Sequence, residues 1–318
     1  MGETNYRVIT KGQSMLAKFS HWSDYATHPP LTCSETMSSV NEKYGSWALG
    51  PWQSDGPEAF LTALRAGKSP ASTVEMYRRM KDKLEVQILS KLPTMPKARR
   101  QRVVGDHGDG IDIDRIMDRD PDCWVSQVGI PGPRRFVTLG VSFSGHSGRD
   151  HDDYAKTVVA ASVLMGTFRA AGYSVRVVGI NCFWNSDSRS TKTVPTRFKY
   201  PALKQTSCGG NGETPPSEVG FMWEIFSYGS HANPEDLLPW GTNGNTRYLK
   251  FGWENSVWPD VDWTRGGRGG EAMICKDTIE LAGIDMMVAM ADAQNDDQVV
   301  ARTVELVDGY TKSLRVGF

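Results

Sequence analysis

The chain has almost no charge imbalance, few cysteines and no long apolar run, and each absence narrows what it can be. Its 36 basic and 37 acidic residues leave a net charge of -1, so no global field draws it to nucleic acid or to an anionic membrane. Nowhere do eighteen apolar residues run together, and MGETNYRVITKGQ contains no apolar signal region, so neither membrane insertion nor secretion is expected. Tyr6 stands where a myristoylation signal needs Ser or Thr. The five cysteines, Cys33, Cys123, Cys182, Cys208 and Cys275, are odd in number, far apart and never in a CxxC pair, which suits reduced thiols in a cytosolic setting.

Familiar catalytic signatures are missing as well. The six histidines form no HExxH and no HxH pair, and no GxSxG elbow surrounds Ser142, Ser144 or Ser147. There is no GxxxxGK[ST], and no GxGxxG lies between a strand and a helix. No repeat of 20 to 50 residues appears.

What is present centres on Arg134 to Trp184. RRFVTLGVSFSGHSG reads as a strand that breaks into small residues. DDYAKTVVAASVLMGTFRAAGY follows, with Tyr154, Val158, Ala161, Leu164, Met165 and Phe168 spaced three or four apart, the helical period. Asp150, Asp152 and Asp153 suit that helix's positive end, and Gly172 suits its C-terminal cap. SVRVVGINCFW then returns as a strand, and a unit of this length predicts a right-handed crossover between parallel strands. In such sheets ligands gather where strands end and helices begin, so Ser142 to Asp153 is the first place to look.

Upstream, residues 1–50 read as irregular, with helices predicted over the EAFLTALRAG stretch and from Ala71 to Leu92. Downstream, residues 185–220 form a long polar excursion, a glycine-rich loop leads into a strand at Ala272 to Cys275, and Asp296 to Leu314 is a helix. The division expected is an N-terminal portion over 1–128, irregular and then helical, and an α/β core over 129–318.

Several clusters could carry chemistry. Lys97, Arg99, Arg100 and Arg102 make a basic run after Pro93 and Pro96, expected as a solvated helix end or linker and, in the sharper reading, as a phosphate contact. Arg265 and Arg268 in RGGRGG resemble the Arg-Gly segments of single-strand binders. Trp240, Trp253, Trp258 and Trp263, interleaved with Arg247, Lys250 and Arg265, read as a stacking surface for bases, a protein interface or core. Seven aspartates between Asp106 and Asp122 do not fall in a calcium-loop register, and a short helix capped by Asp112 fits Ile113, Ile116 and Met117. His146 and His151 flank the loop after the first core strand, as loop histidines or as a catalytic imidazole.

Two resemblances attach to these residues. Leu139-Gly140-Val141-Ser142-Phe143-Ser144 before a long helix is similar to the metal-binding turn of von Willebrand factor A domains, whose pattern is D-x-S-x-S. Ser142 and Ser144 match its serines as metal ligands, and Gly140 stands where the aspartate belongs. The order of elements over roughly 45–185 resembles a family of uncharacterised bacteriophage proteins, through Trp47 to Gly67, GIDIDRIMDRDPDCW and VTLGVSFSG with its helix and VRVVGI. That likeness implies a phage protein.

The fold expected is therefore α/β, a parallel Rossmann-like or von Willebrand A-like sheet with a smaller helical N-terminal portion. The function expected is a non-enzymatic phage protein that binds other phage or host proteins, as virion component or assembly factor, in the particle or the host cytoplasm. Two alternatives stand beside it: a nucleic-acid-binding accessory factor, and a Mg²⁺-dependent hydrolase or nuclease drawing on the Asp106 to Asp122 cluster, with Asp109 and Asp112 essential, and on His146 or His151.

Overall fold

The computed structural model describes residues 6–12, 14–27, 56–92, 99–108, 110–130, 135–144, 151–184, 218–242, 249, 257, 276–290 and 293–316. The expected central unit is there. Strand β6 (Phe136–Ser142), helix α5 (His151–Ala170) and strand β7 (Ser174–Trp184) follow one another, and β6 pairs with β7 in parallel, Phe136 opposite Ser174. Thirteen of the twenty residues of α5 are buried, so this helix is enclosed on nearly every side. Among its buried hydroxyls, Ser162 donates to the Pro234 carbonyl at 2.5 Å, and Thr167 donates to the Val163 carbonyl one turn back.

Around this unit the sheet is mixed, where a parallel one was expected. Its order is β1-β2-β8-β7-β6-β9, with β1 (Tyr6–Lys11), β2 (Ser14–Phe19), β8 (Glu218–Phe226) and β9 (Met286–Val288). β2 with β8, β6 with β7 and β6 with β9 run parallel; β1 with β2 and β7 with β8 run antiparallel. Residues 6–27, expected to be irregular, instead give the β1–β2 hairpin and helix α1 (Trp22–Thr27). Gly12, at φ +53°, begins the two-residue connection, a backbone region that glycine enters without a side-chain penalty.

One face of the sheet carries the main core. Helices α2 (Gly56–Arg65), α3 (Ala71–Leu89) and α7 (Asp296–Val316) contribute Leu61, Leu64, Met76, Met80, Leu84, Val299 and Val307 to the same buried cluster as α5 and the sheet. A 3₁₀ helix, Pro234–Trp240, closes over α5 with Leu237, Leu238 and Trp240. The other face is covered by α6 (Lys276–Ala282) and the residues after it, with Ala282 and Ile284 packing on Leu16, Val178, Ile180 and Met222.

A second, smaller unit stands apart in pattern. Strands β3 (Arg99–Gly105), β4 (Gly110–Ile111) and β5 (Trp124–Ile130) form a three-stranded antiparallel sheet in the order β3-β5-β4, with helix α4 (Ile113–Met117) between β4 and β5. Among the described residues, neither buried hydrophobic cluster includes one between Leu92 and Val137. The 185–217 part of the expected excursion and the strand expected at Ala272 to Cys275 lie outside the described residues.

Candidate functional site

At the end of β6 Ser144 is tied into the structure, while Ser142 Oγ is buried without a hydrogen-bond partner among the described residues. An added Cβ at Gly140 would sit 2.6 Å from Ile284 Cδ1 and 3.0 Å from Met287 Cε, so the position matched to the metal-binding aspartate is filled by apolar side chains. Alternation along β6 puts Ser142 on that same face, and Ser144 follows just after the strand. Both are buried, and Ser144 Oγ accepts the Cys182 amide at 2.8 Å, fastening β6 to β7. These residues do not fit a divalent ion held in the von Willebrand A manner, because the charged donor is absent and the space is occupied. Among the described residues no three His, Cys, Asp or Glu side chains converge on a metal position.

His151 begins α5 and points at the start of α3. Its Nε2 lies 3.2 Å from both Ser72 Oγ and Thr73 Oγ1, so the imidazole ties two helix N-termini together. His146 and Asp109 lie outside the described residues.

Trp240 is core, and the expectation of a partner-binding surface is corrected at this position. It is only 3% exposed, with ring centroids 5.7 Å from Trp223, 6.1 Å from Phe143 and 6.0 Å from Trp22. Tyr25 stacks on Trp223 at 4.1 Å and completes the aromatic cluster. Trp253, Trp258, Trp263, Arg265, Arg268 and Lys97 lie outside the described residues.

The basic run is also not a helix end or linker. Arg99, Arg100 and Arg102 belong to β3, an edge strand whose one partner among the described residues is β5.

A different feature emerges in the small unit. Asp112 takes the N-cap position of α4, as its spacing predicts, and Ile113, Ile116 and Met117 follow at i, i+3 and i+4 on one side of the helix. That spacing ordinarily marks a side buried against a core. Here none of the helix is buried: Ile113 is 72% exposed and Met117 77%, with Ile116 exposed beside them. Ile111 and Trp124, directly opposite each other across β4 and β5 on either side of this helix in the chain, are exposed too.

Acidic groups surround this surface. Asp114 and Asp118 are exposed along one side of the stripe and Asp112 borders its start. Arg115, on the far side of the helix, is taken up by Asp120 at 2.9 Å, and Asp120 also accepts the Asp122 amide at 3.0 Å. The aspartates thus shape the turn and leave negative charge around an apolar stripe.

Comparison with known proteins adds one link. Residues 56–200 match the model of a family described as Domain of unknown function (DUF7192). The DUF7192 match spans under half of the chain; it takes in α2, α3, the small unit and the β6–α5–β7 unit, and leaves β1, β2, β8, β9 and α7 outside it. No curated protein and no solved structure matches the chain.

The sequence places these residues on a helix but does not mark the stripe as exposed. Periodicity tells which side of a helix is apolar and says nothing of what covers it.

Proposed function

We propose that this protein works by binding another protein, through the apolar side of α4 and the adjoining Ile111 and Trp124. The observation that carries this reading is the exposure of a helical apolar stripe in a unit whose described residues join neither buried core. Contiguous exposed apolar surface with a polar border favours protein contact, and spacing at i, i+3 and i+4 is how a short helix anchors in a partner's groove. Resemblance to bacteriophage proteins supports a setting in the particle or in the infected cell, as virion component or assembly factor.

A photo-crosslinking residue at Met117 of the full chain tests it, in the cells that produce the protein. A discrete adduct that disappears when Ile113 and Ile116 become Ser is the expected result. Absence of any adduct would overturn the reading, and an adduct to nucleic acid would replace it with the accessory-factor alternative.

A further inference from the structure

The charges around the stripe restrict what can sit on it. Between Asp106 and Asp122 the chain has seven aspartates against Arg115 and Arg119, and Arg115 is already paired with Asp120. An apolar surface bordered this way attracts cations and repels carboxylates, and such borders choose partners more than they add affinity. The same border argues against a second copy. Two-fold contact between α4 stripes would place Asp112, Asp114 and Asp118 of each copy against those of the other as the water between them is excluded.

We infer that the occupant of the α4 stripe is a protein element with an apolar core and a border rich in Lys and Arg, such as a basic amphipathic helix. This rests on the protein-binding reading and specifies its partner chemistry. Ile113, Ile116 and Met117 supply the apolar contact, with Ile111 and Trp124 beside them. Asp114 and Asp118, four residues apart and both exposed, meet the partner's cations. The contact is therefore salt-sensitive in its selectivity, because exposed charges separated by more than a few ångströms are screened in strong salt.

Two fluorescent helical peptides test this on the full chain. Both carry the same Leu and Ile stripe; one is bordered by Lys and Arg, the other by Glu. By fluorescence anisotropy at low salt the basic peptide should bind roughly tenfold or more tightly than the acidic one. That preference should fall to about threefold or less in 1 M NaCl and in the Asp114→Asn/Asp118→Asn variant, both of whose changes lie on exposed positions. Binding of both peptides should be lost in Met117→Asp.

Equal binding of the two peptides, both abolished by Met117→Asp, would overturn the basic partner and leave the protein-binding reading standing. Failure of both peptides while the Met117 crosslink persists has the same meaning. Failure of both peptides together with an absent crosslink would remove both. Sedimentation showing a dimer of the wild-type chain that Met117→Asp dissociates would make a second copy the occupant and overturn the inference.

Discussion

The main sheet and the small β3-β5-β4 unit follow the same rules of pattern and treat their apolar residues in opposite ways. In α5 the apolar positions disappear into the core, and even the hydroxyls of Thr157, Ser162 and Thr167 find partners there, Thr157 accepting the Met290 amide at 3.0 Å. In α4 the apolar positions face water. A helix of five residues cannot hold itself together by propensity, since isolated helices of even a dozen residues are marginal. Sheet pairing and the Asp112–Asp122 turn hold α4 in place, and its apolar side is available for another role. Burial, and not periodicity, separates a structural stripe from a functional one.

The sharpest way to test that contrast is to open the core. Trp223 is fully buried between Tyr25 and Phe143, and its indole lies over Gly179. Trp223→Ala should cost about 3–5 kcal/mol, the usual range for emptying an aromatic site, measured by urea denaturation. A loss under 1 kcal/mol would mean that this cluster is not the centre of the fold.

Gly140→Asp comes next. It restores the residue that the von Willebrand A pattern calls for, but the new side chain meets Ile284 and Met287. Overpacking and a buried carboxyl together should destabilise the protein by about 3 kcal/mol, and calorimetric titration should detect no Mg²⁺ binding. Tight Mg²⁺ binding by this variant would revive the metal-turn comparison.

Much of the main body was legible because it is local. β6, α5 and β7 lie within fifty residues, and their periods specify strand, helix and strand without distant information. The sheet's direction was not legible. β8 reaches β7 after the intervening 185–217 stretch and pairs antiparallel with it, while β2, from the start of the chain, joins β8 on its other side. Nothing in a strand's own alternation names its neighbour. The β1–β2 hairpin did leave a signal, Gly12 between two runs of equal length, masked by the polar clusters that dominate residues 1–50. Trp240 shows the same limit in reverse, since a tryptophan near arginines reads alike as core or as interface until its neighbours are known.

Smaller effects are expected where the main body's helices are joined at the surface. Arg79 on α3 donates from Nε and Nη2 to Asp296 at the start of α7, at 2.6 and 3.3 Å, and this hydrogen bond holds the Asp296 carboxyl below its usual range. Because the folded carboxyl is the stronger acid, the pair stabilises the protein above the ordinary carboxylate range and loses that contribution as pH falls through the folded value. Both groups are partly exposed, so Arg79→Ala should cost only about 0.2–1 kcal/mol near pH 7. The gap from wild type should close on acidification and also shrink in high salt; a gap that stays constant down to pH 2 would show that the ion pair is not its source.

The smallest change should come from the residues with the clearest apolar pattern. Ile113→Ser and Met117→Ser remove large side chains from a helix, a change that in α5 would cost several kcal/mol. On α4 both side chains already lie in water in the folded state, so unfolding exposes little more of them, and the transfer contribution nearly vanishes. The double variant should match wild-type stability within about 0.5 kcal/mol in urea and lose partner binding. A stability loss above about 2 kcal/mol would place the stripe against the protein's own fold, and the difference between the two regions would then be one of degree. Unchanged stability with lost binding would make α4 a surface whose apolar residues serve association alone.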